Sequence, residues 1–236
     1  MANRVKFAAI MGLLALILPA ACSTSPGIAP QEQAMRRARL AAISLMPECR
    51  SAEDATGGVT GQPISCKLKA RSGLIVTAVS DRLEDGPAGL SGFLTFSVTS
   101  RAGVPIAEFS EITFGEYAYP SLRDMNGDGR EDLLMPLATG VQNPEYSLWI
   151  QQVNGDFARA GVFRAAEIRV HSGGLMSAAR KTGDAEWETA YMRLAKGALE
   201  SVAVVKSRGS RAPRLGGRCE ILSLSRDAEA SRFCRN

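Results

Sequence analysis

Short apolar runs, separated by glycine, proline and polar turn residues, fill most of the chain after Pro63. Runs of about four to eight residues that alternate apolar and polar side chains, or are apolar throughout, are typical of β-strands. The predicted strands cover residues 64–70, 74–79, 90–99, 104–109, 146–153, 167–171, 175–179, 187–194 and 199–206, and residues 133–135 begin a further one. The pattern predicts an all-β domain over residues 47–236.

Turn sequences join these runs. Asp85-Gly86-Pro87, Arg101-Ala102-Gly103 and Asn154-Gly155-Asp156 consist of residues that favour reversal of the chain. Asn-Gly between two strands is a strong hairpin signal. We therefore expect antiparallel hairpins, then a basic loop over residues 207–217, and a strand and short turn from Arg218 onward.

One segment has a helical pattern instead. Residues 31–46 are rich in good helix formers, and Pro47 would end a helix there. The apolar positions that fall near one face are Met35, Ala38, Ala42 and Leu45. The arginines of this amphipathic helix fit a solvated polar face better than a membrane surface, because their patch is small.

The N-terminus has the features of an export signal. Arg4 and Lys6 precede an apolar run, residues 7–18, which ends at Pro19-Ala20-Ala21-Cys22. A spanning helix would need roughly 20 apolar residues. Residues 18–22 also resemble a bacterial lipobox, which implies a signal peptide over 1–21, a lipidated Cys22 and a tether over 22–30.

That resemblance implies a lipoprotein of the Gram-negative periplasm. Ser23 follows the cysteine where an aspartate would retain the protein in the inner membrane, so the resemblance implies anchoring to the outer membrane. Plain secretion with cleavage nearby is the alternative.

Length and charge narrow the class of protein. The 236 residues, less the signal, suit one sizeable domain. The chain has 28 Lys and Arg against 24 Asp and Glu, and removal of Arg4 and Lys6 brings the net charge to about +2. Without a basic stripe interleaved with aromatic residues, we expect no nucleic acid partner.

Four further cysteines, an even number, follow Cys22 in a chain predicted to reach an oxidising compartment. Disulfides are the expected use, and three connectivities exist. Short separation along the chain favours the pairs Cys49 with Cys66 and Cys219 with Cys234. A zinc site is disfavoured, because the chain has no Cys-x-x-Cys sequence and a single histidine.

Oxygen-bearing side chains alternate between Asp124 and Asp132. Counted from Asp124, positions 1, 3, 5 and 9 are Asp124, Asn126, Asp128 and Asp132, and position 6 is Gly129. Ca²⁺ takes about 6–8 oxygen ligands, and position 7 of such loops supplies a main-chain carbonyl. The predicted calcium ligands are Asp124, Asn126, Asp128, Asp132 and the backbone of Arg130, whose guanidinium would point to solvent.

The flanks of the loop exclude a helix-loop-helix site. Position 12 is Met135 rather than glutamate, and Pro120 and Pro136 lie on either side. We expect a strand on each side of the loop. The alternative to a calcium site is a solvated turn, since Asn, Gly and Asp are also common turn formers.

Several motifs in order resemble a known group of proteins. The loop over residues 124–132, then Asn143-Pro144-Glu145-Tyr146-Ser147-Leu148-Trp149 and Asn154-Gly155-Asp156-Phe157, resembles the FG-GAP or VCBS calcium repeat. The series, with hairpin-like segments at 173–180 and 187–202, is similar to Gram-negative periplasmic lipoproteins, some of which are immunity proteins that inhibit lysozymes. The resemblance implies a propeller-like or stacked arrangement of antiparallel strands with one Ca²⁺.

The sequence offers little for catalysis. The single histidine, His171, lies on a predicted strand, and no Gly-x-Ser-x-Gly sequence occurs. A carboxylate pair for glycoside hydrolysis would have to come from Glu108, Glu111 and Glu116. Strand alternation puts Glu108 and Glu111 on opposite faces. We therefore predict that the protein is not an enzyme, with a glycoside hydrolase as the less favoured alternative.

The predicted work of the protein is binding. Tyr117, Tyr119 and Tyr146 flank the loop, and with Trp149 they are candidates for a partner-binding surface or for core packing. The leading hypothesis is a calcium-binding envelope lipoprotein that inhibits a peptidoglycan hydrolase. The alternative is an FG-GAP-like structural or adhesion module that binds envelope protein or glycan.

Overall fold

The computed structural model describes residues 28–49, 59–60, 63–81, 83–86, 89–139 and 142–235. The predicted signal peptide, the lipidation site Cys22 and most of the tether lie outside these residues. Within the described ranges, no helix combines the length and the apolar character needed to cross a membrane.

The described chain is mostly β-strand, which confirms the predicted fold class. The elements up to the candidate loop are α1 (Pro30–Leu45), β1 (Val59–Thr60), β2 (Ser65–Lys69), β3 (Ile75–Ser80), β4 (Glu84–Gly86), β5 (Gly89–Thr99), β6 (Pro105–Phe114), β7 (Tyr117–Ala118) and β8 (Ser121–Arg123). After it come β9 (Asp132–Ala138), β10 (Glu145–Gln151), β11 (Phe157–Arg164), β12 (Glu167–His171), β13 (Leu175–Gly183), β14 (Glu186–Ala195), β15 (Ala198–Arg208), β16 (Gly217–Arg218), β17 (Glu220–Leu224), α2 (Ala230–Phe233) and β18 (Cys234–Arg235).

Helix α1 confirms the predicted helix, but the face that packs is a different one. Met35 and Leu45 are 54% and 87% exposed, whereas Ile43 is buried. The sheet holds the end of the helix through Lys67, whose Nζ donates to the carbonyls of Ile43 and Ser44 at 3.1 and 2.8 Å. A cation at these last carbonyls satisfies orphan acceptors and complements the helix dipole.

The middle of α1 packs on the turn between β5 and β6. Arg39 Nη1 donates to the carbonyl of Gly103 at 2.8 Å. Gly103 has φ +79°, and a Cβ there would lie 2.8 Å from the carbonyl oxygen of Arg36. The turn therefore needs glycine for its conformation and for the close approach of the helix.

The larger sheet has two antiparallel parts. One part has the order β6-β5-β3-β2, and the other has the order β11-β10-β9. They join through one parallel pairing, Phe114 with Ala138. The inner faces enclose the first core, where the ring of Phe109 on β6 stacks on Trp149 of β10 at 4.1 Å.

Strand β9 is buried on both faces. Leu133, Met135 and Leu137 pack in the first core. Leu134, which points the other way, packs in a second core. Double burial explains why this strand is apolar at successive positions rather than alternating.

A second antiparallel sheet, in the order β12-β13-β14-β15-β17, covers the outer face of β9–β11. Its Met176, Ala178 and Met192 meet Leu148 and Phe163 in the second core. The described strands thus form stacked layers, in agreement with the predicted stacked-sheet arrangement.

The C-terminal segment covers the remaining face of this second sheet. Phe233 is 1% exposed and packs against the buried Tyr191, with ring centroids 5.1 Å apart. Both predicted disulfides are confirmed, Cys49 with Cys66 and Cys219 with Cys234. The first links the segment after α1 to β2, and the second closes the C-terminal cover.

Candidate calcium loop and neighbouring polar clusters

The candidate loop joins two antiparallel strands. Strand β8 pairs with β9 through Leu122 with Leu133 and Arg123 with Asp132. Residues 124–131 connect the two strands. The predicted strand-loop-strand arrangement is confirmed, and no helix flanks the loop.

Asp124 organises the turn. Its Oδ1 accepts a hydrogen bond from the backbone N–H of Gly127 at 2.7 Å, and its Oδ2 accepts one from Gly129 at 2.9 Å. Both glycines have positive φ, +76° and +85°. The carboxylate therefore holds a conformation that these glycines adopt without strain.

The next two polar side chains continue the same arrangement. Asn126 Oδ1 accepts from the N–H of Asp128, and Asp128 Oδ1 accepts from the N–H of Arg130, both at 2.9 Å. The Arg130 guanidinium does not point only to solvent as expected, because it pairs with Asp128 and its Nε donates to the Gln151 carbonyl at 3.0 Å. Arg130 thus ties the loop to the end of β10.

Asp132 is the buried member of the set, with 0% exposure. Its Oδ2 accepts from the N–H of Met125 at 2.9 Å, and its Oδ1 accepts from the N–H of Gln151 at 3.1 Å. Burial raises the pKa of Asp132 to about 6, which the two backbone hydrogen bonds oppose and the nearby Asp128 and Asp124 carboxylates reinforce. A nearby cation would stabilise the ionised form of this buried carboxylate and lower its pKa.

The donor chemistry of the loop fits Ca²⁺, since three carboxylates, one amide oxygen and a main-chain carbonyl are hard oxygen ligands. The geometry is less complete. Among the described residues, no three His, Cys, Asp or Glu side chains form a group that could hold a metal ion. The Arg130 guanidinium on Asp128 would have to move away before that carboxylate could turn toward a cation.

Neighbouring elements support the loop from outside. Glu131, which the ligand pattern leaves out, accepts from the backbone N–H of Arg71 at 2.6 Å and pairs with its guanidinium at 3.1 Å. On the other side, the loop meets the turn between β12 and β13. A Cβ at Gly174 would lie 2.5 Å from the carbonyl oxygen of Asn126, so the second sheet approaches the loop through glycine.

Gln151 is the loop contact that sequence reasoning missed. It is 2% exposed, and its backbone groups bond to Asp132 and Arg130. Its side-chain Nε2 donates to Ser72 Oγ at 3.3 Å, while Oε1 is buried without a protein partner. No local motif marks this residue, because its role follows from where β10 ends.

The predicted partner-binding tyrosines lie in different places. Tyr119 is half-buried and packs against the first core, and Tyr146 stacks on Phe163 at 5.8 Å beside the second. Burial raises the pKa of Tyr146. The backbone of Tyr117 pairs with Thr60, and its side chain lies outside what the structure describes. Their role in binding a partner stays a prediction.

Two of the three glutamates considered for catalysis, Glu108 and Glu111, lie on opposite faces of β6. Glu108 is exposed and accepts from Ser97 Oγ at 3.2 Å, whereas Glu111 points into the first core side of β6. Glu111 Oε1 accepts from Ser147 Oγ at 2.6 Å, from Trp149 Nε1 at 2.9 Å and from Arg159 Nε at 2.6 Å. The Glu111 carboxylate thus has hydrogen-bond partners on both β10 and β11.

His171 has a partner that the sequence did not reveal. Its Nε2 lies 2.8 Å from Ser177 Oγ on the adjacent strand, and Ser177 is 5% exposed. Burial lowers the pKa of His171, and the charges of Arg169 and Arg232 lower it further. The charged groups that lower its pKa are cationic, and none of the described carboxylates bonds to its ring as the orienting carboxylate of a catalytic triad does.

Comparison with known proteins gives no family for this chain. No protein-family model matches the chain, and no curated protein sequence matches it. A periplasmic inhibitor of I-type lysozyme from Aeromonas hydrophyla is 18% identical over 43% of this chain and 89% of its own, with a TM-score of 0.36. A Xanthomonas type IV secretion system related protein is 17% identical over 69% of this chain and 88% of its own, with a TM-score of 0.45.

Proposed function

We propose that this chain is a non-enzymatic, calcium-binding envelope lipoprotein that binds and inhibits a cell-wall hydrolase. The observation that carries the proposal is the contiguity of the motifs behind the resemblance. The loop joins β8 to β9, β10 with Trp149 pairs with β9, and β11 from Phe157 pairs with β10. The motif series therefore forms one structural unit.

The loop over residues 124–132 is the proposed calcium site of this unit. Asp124, Asp128 and Asp132 bring three formal negative charges to one turn, and the coulombic effect of the first two on Asp132 is unfavourable to its ionised form. Ca²⁺ would relieve that repulsion. It would also hold the loop against the Gln151 end of β10 and the Gly174 turn.

The two groups that the sequence offered for catalysis, Glu111 and His171, form hydrogen bonds within the described fold. The Glu111 carboxylate accepts hydrogen bonds from Ser147, Trp149 and Arg159. These bonds connect the two parts of the larger sheet. The His171 imidazole faces the buried hydroxyl of Ser177. Neither group is poised beside a second acid or base as hydrolysis requires.

The test is an inhibition assay on purified peptidoglycan. The mature protein, without lipid, is mixed at stoichiometric ratio with hydrolases of lysozyme, transglycosylase and amidase type, in calcium and in EGTA. We expect one class to lose muropeptide release, and calcium to strengthen the effect. If every hydrolase keeps full activity while the protein binds peptidoglycan itself, the result would favour the alternative function, a structural or adhesion module.

A further inference from the structure

An apolar patch that the described residues leave exposed lies on the outer face of the β5–β6 hairpin. Phe93 and Ile112 pair directly across the two strands, and Phe114 is two residues further along β6, opposite Ser91. Their exposed fractions are 52%, 47% and 41%. Val79, 44% exposed, lies on the next strand, opposite Thr95. Adjacent exposed side chains of this size are typical of an interaction site.

The patch is separate from the first core, since alternation turns the neighbouring Leu94 and Phe96 inward, where both are fully buried. Its border meets α1, because Val79 and Glu108 line a groove together with Arg39 of that helix. The helix packs at the opposite end of the hairpin, where Arg39 bonds to Gly103 in the β5–β6 turn. The described chain thus covers one end of this face and leaves the other open.

Two glutamates border the patch. Of the four carboxylates on strands β3, β4, β5 and β6, Glu84 and Glu108 lie on the outer face. Asp85 and Glu111 lie on the opposite face, where Glu111 pairs with Arg159. Glu84 pairs with Ser91, which pairs with Phe114, so Glu84 borders the patch on one side. Glu108 shares the outward face of β6 with Ile112 and is exposed. An apolar centre with a charged rim is the usual anatomy of a protein interface.

We propose that this patch, Phe93, Ile112 and Phe114 with the rim of Glu84 and Glu108, is the docking surface for a cationic protein. The proposal rests on the proposed function and names the surface by which the partner is held. The rim selects the partner, because an acidic border attracts a basic surface and speeds encounter with it. A second copy would bring the same acidic rim into contact with itself, and an anionic membrane would be repelled.

Binding is measured by titration calorimetry and by association kinetics at low and moderate salt. The probes are three basic peptidoglycan hydrolases of lysozyme, transglycosylase and amidase type, and a form of each with acetylated lysines. The variants are Phe93→Ser, Ile112→Thr and the pair Glu84→Lys with Glu108→Lys. Val162→Thr, 40% exposed on β11 away from the patch, is the matched control.

We expect at least one basic probe to bind, and its acetylated form to bind at least tenfold more weakly. Phe93→Ser and Ile112→Thr should each weaken binding at least tenfold, mainly through faster dissociation. The double charge reversal should slow association and remove its salt dependence, while Val162→Thr binds as the wild type does.

Four results would overturn the proposal. The first is binding that the patch variants leave unchanged, and the second is a lack of binding to every basic probe. The third is self-association of the protein that Phe93→Ser abolishes. The fourth is a patch variant whose Tm falls by several degrees, which would show that the chain itself covers the patch. Binding is read separately from inhibition. A basic probe that binds at the patch and keeps its activity would count against the proposed function and leave the surface standing.

Discussion

The indole N–H of Trp149 donates a 2.9 Å hydrogen bond to the carboxylate of Glu111, across 38 positions of the chain. The two residues lie on different parts of the larger sheet, Trp149 on β10 and Glu111 on β6. The same carboxylate accepts from Ser147, which is fully buried. This contact fixes how the two parts of the sheet close over the first core.

Replacing Glu111 should therefore destabilise the fold. Glu111→Ala leaves the buried hydroxyl of Ser147 and the indole of Trp149 without their acceptor, which costs about 2–3 kcal/mol in the free energy of unfolding. For a domain of roughly 200 residues this lowers Tm by about 5–10 °C. Urea unfolding measures the loss.

Glu108→Ala is the control for this change, because Glu108 is exposed on the opposite face of the same strand and should alter stability by less than about 0.5 kcal/mol. Equal losses for the two variants would contradict a special role for the Glu111 cluster.

Calcium should raise the melting temperature. A ligand that binds only the folded state, at about 100 times its Kd, adds roughly 2.7 kcal/mol, which corresponds to a rise of about 5–10 °C. Asp128→Ala should abolish the rise, because it removes a proposed ligand. Differential scanning fluorimetry in millimolar CaCl₂ and in EGTA measures it.

Glu131→Gln is the matched control, since Glu131 bonds to Arg71 outside the ligand set. Its baseline Tm can change, but the calcium-dependent rise should persist. Magnesium should do less, because it demands tighter octahedral geometry. An unmoved melting curve for the chelated wild type would leave the loop as an ordinary turn held by Asp124.

Loss of the C-terminal disulfide should loosen the cover of the second sheet. The pair Cys219 and Cys234 closes a loop with a sequence separation of 15 residues. Replacing both with serine should cost on the order of 3 kcal/mol in the chain-entropy model. Hydrogen exchange at Phe233 and Tyr191, with urea unfolding, would measure this. Unchanged protection would mean that packing alone holds the cover.

His171 should make stability depend on pH. Its pKa lies below the ordinary 6.5 in the folded state, with burial as the first cause. Below pH 6.5 His171 is protonated in the unfolded chain but stays neutral in the folded protein. The free energy of unfolding therefore falls as the pH drops from 6.5 toward the lowered pKa. His171→Gln should remove this part of the slope in urea unfolding between pH 5 and 8. Asp132 titrates in both proteins, so its contribution cancels in the comparison.

Cys22 should carry the lipid. The wild type should label with radioactive palmitate and partition into detergent, whereas Cys22→Ser should give uncleaved or soluble protein. A wild type that is cleaved and secreted without label would favour the plain secretory signal.

Much of the β-structure could be predicted because its signals are local. Strand β12 and the start of β13 coincide with the predicted bounds, and α1 differs by one residue at each end. Turn residues, proline and side-chain alternation act within a few residues of the chain. The disulfide pairs were predicted for a related reason, since cysteines close in sequence meet readily.

Other features of the protein depend on contacts between residues that are distant in sequence. The apolar residues of α1 predicted a packing face with Met35 and Leu45. In the structure Ile43 is buried instead, and Arg39 bonds to Gly103. An arginine can lie on a packed face because its aliphatic stem covers apolar surface while its guanidinium reaches a polar partner. The sequence likewise predicted that Glu108 and Glu111 lie on opposite faces of a strand, but it did not show which face would be buried.

Their difference arises when β10 is laid beside β6. Only then does Trp149 meet Glu111, while Glu108 stays exposed on the other face of β6. The local sequence predicted most of the longer strands, the turn chemistry of the loop and the cysteine pairs. The tertiary structure decided which polar groups are satisfied inside and which face stays open, because burial and hydrogen-bond partners depend on how the layers stack.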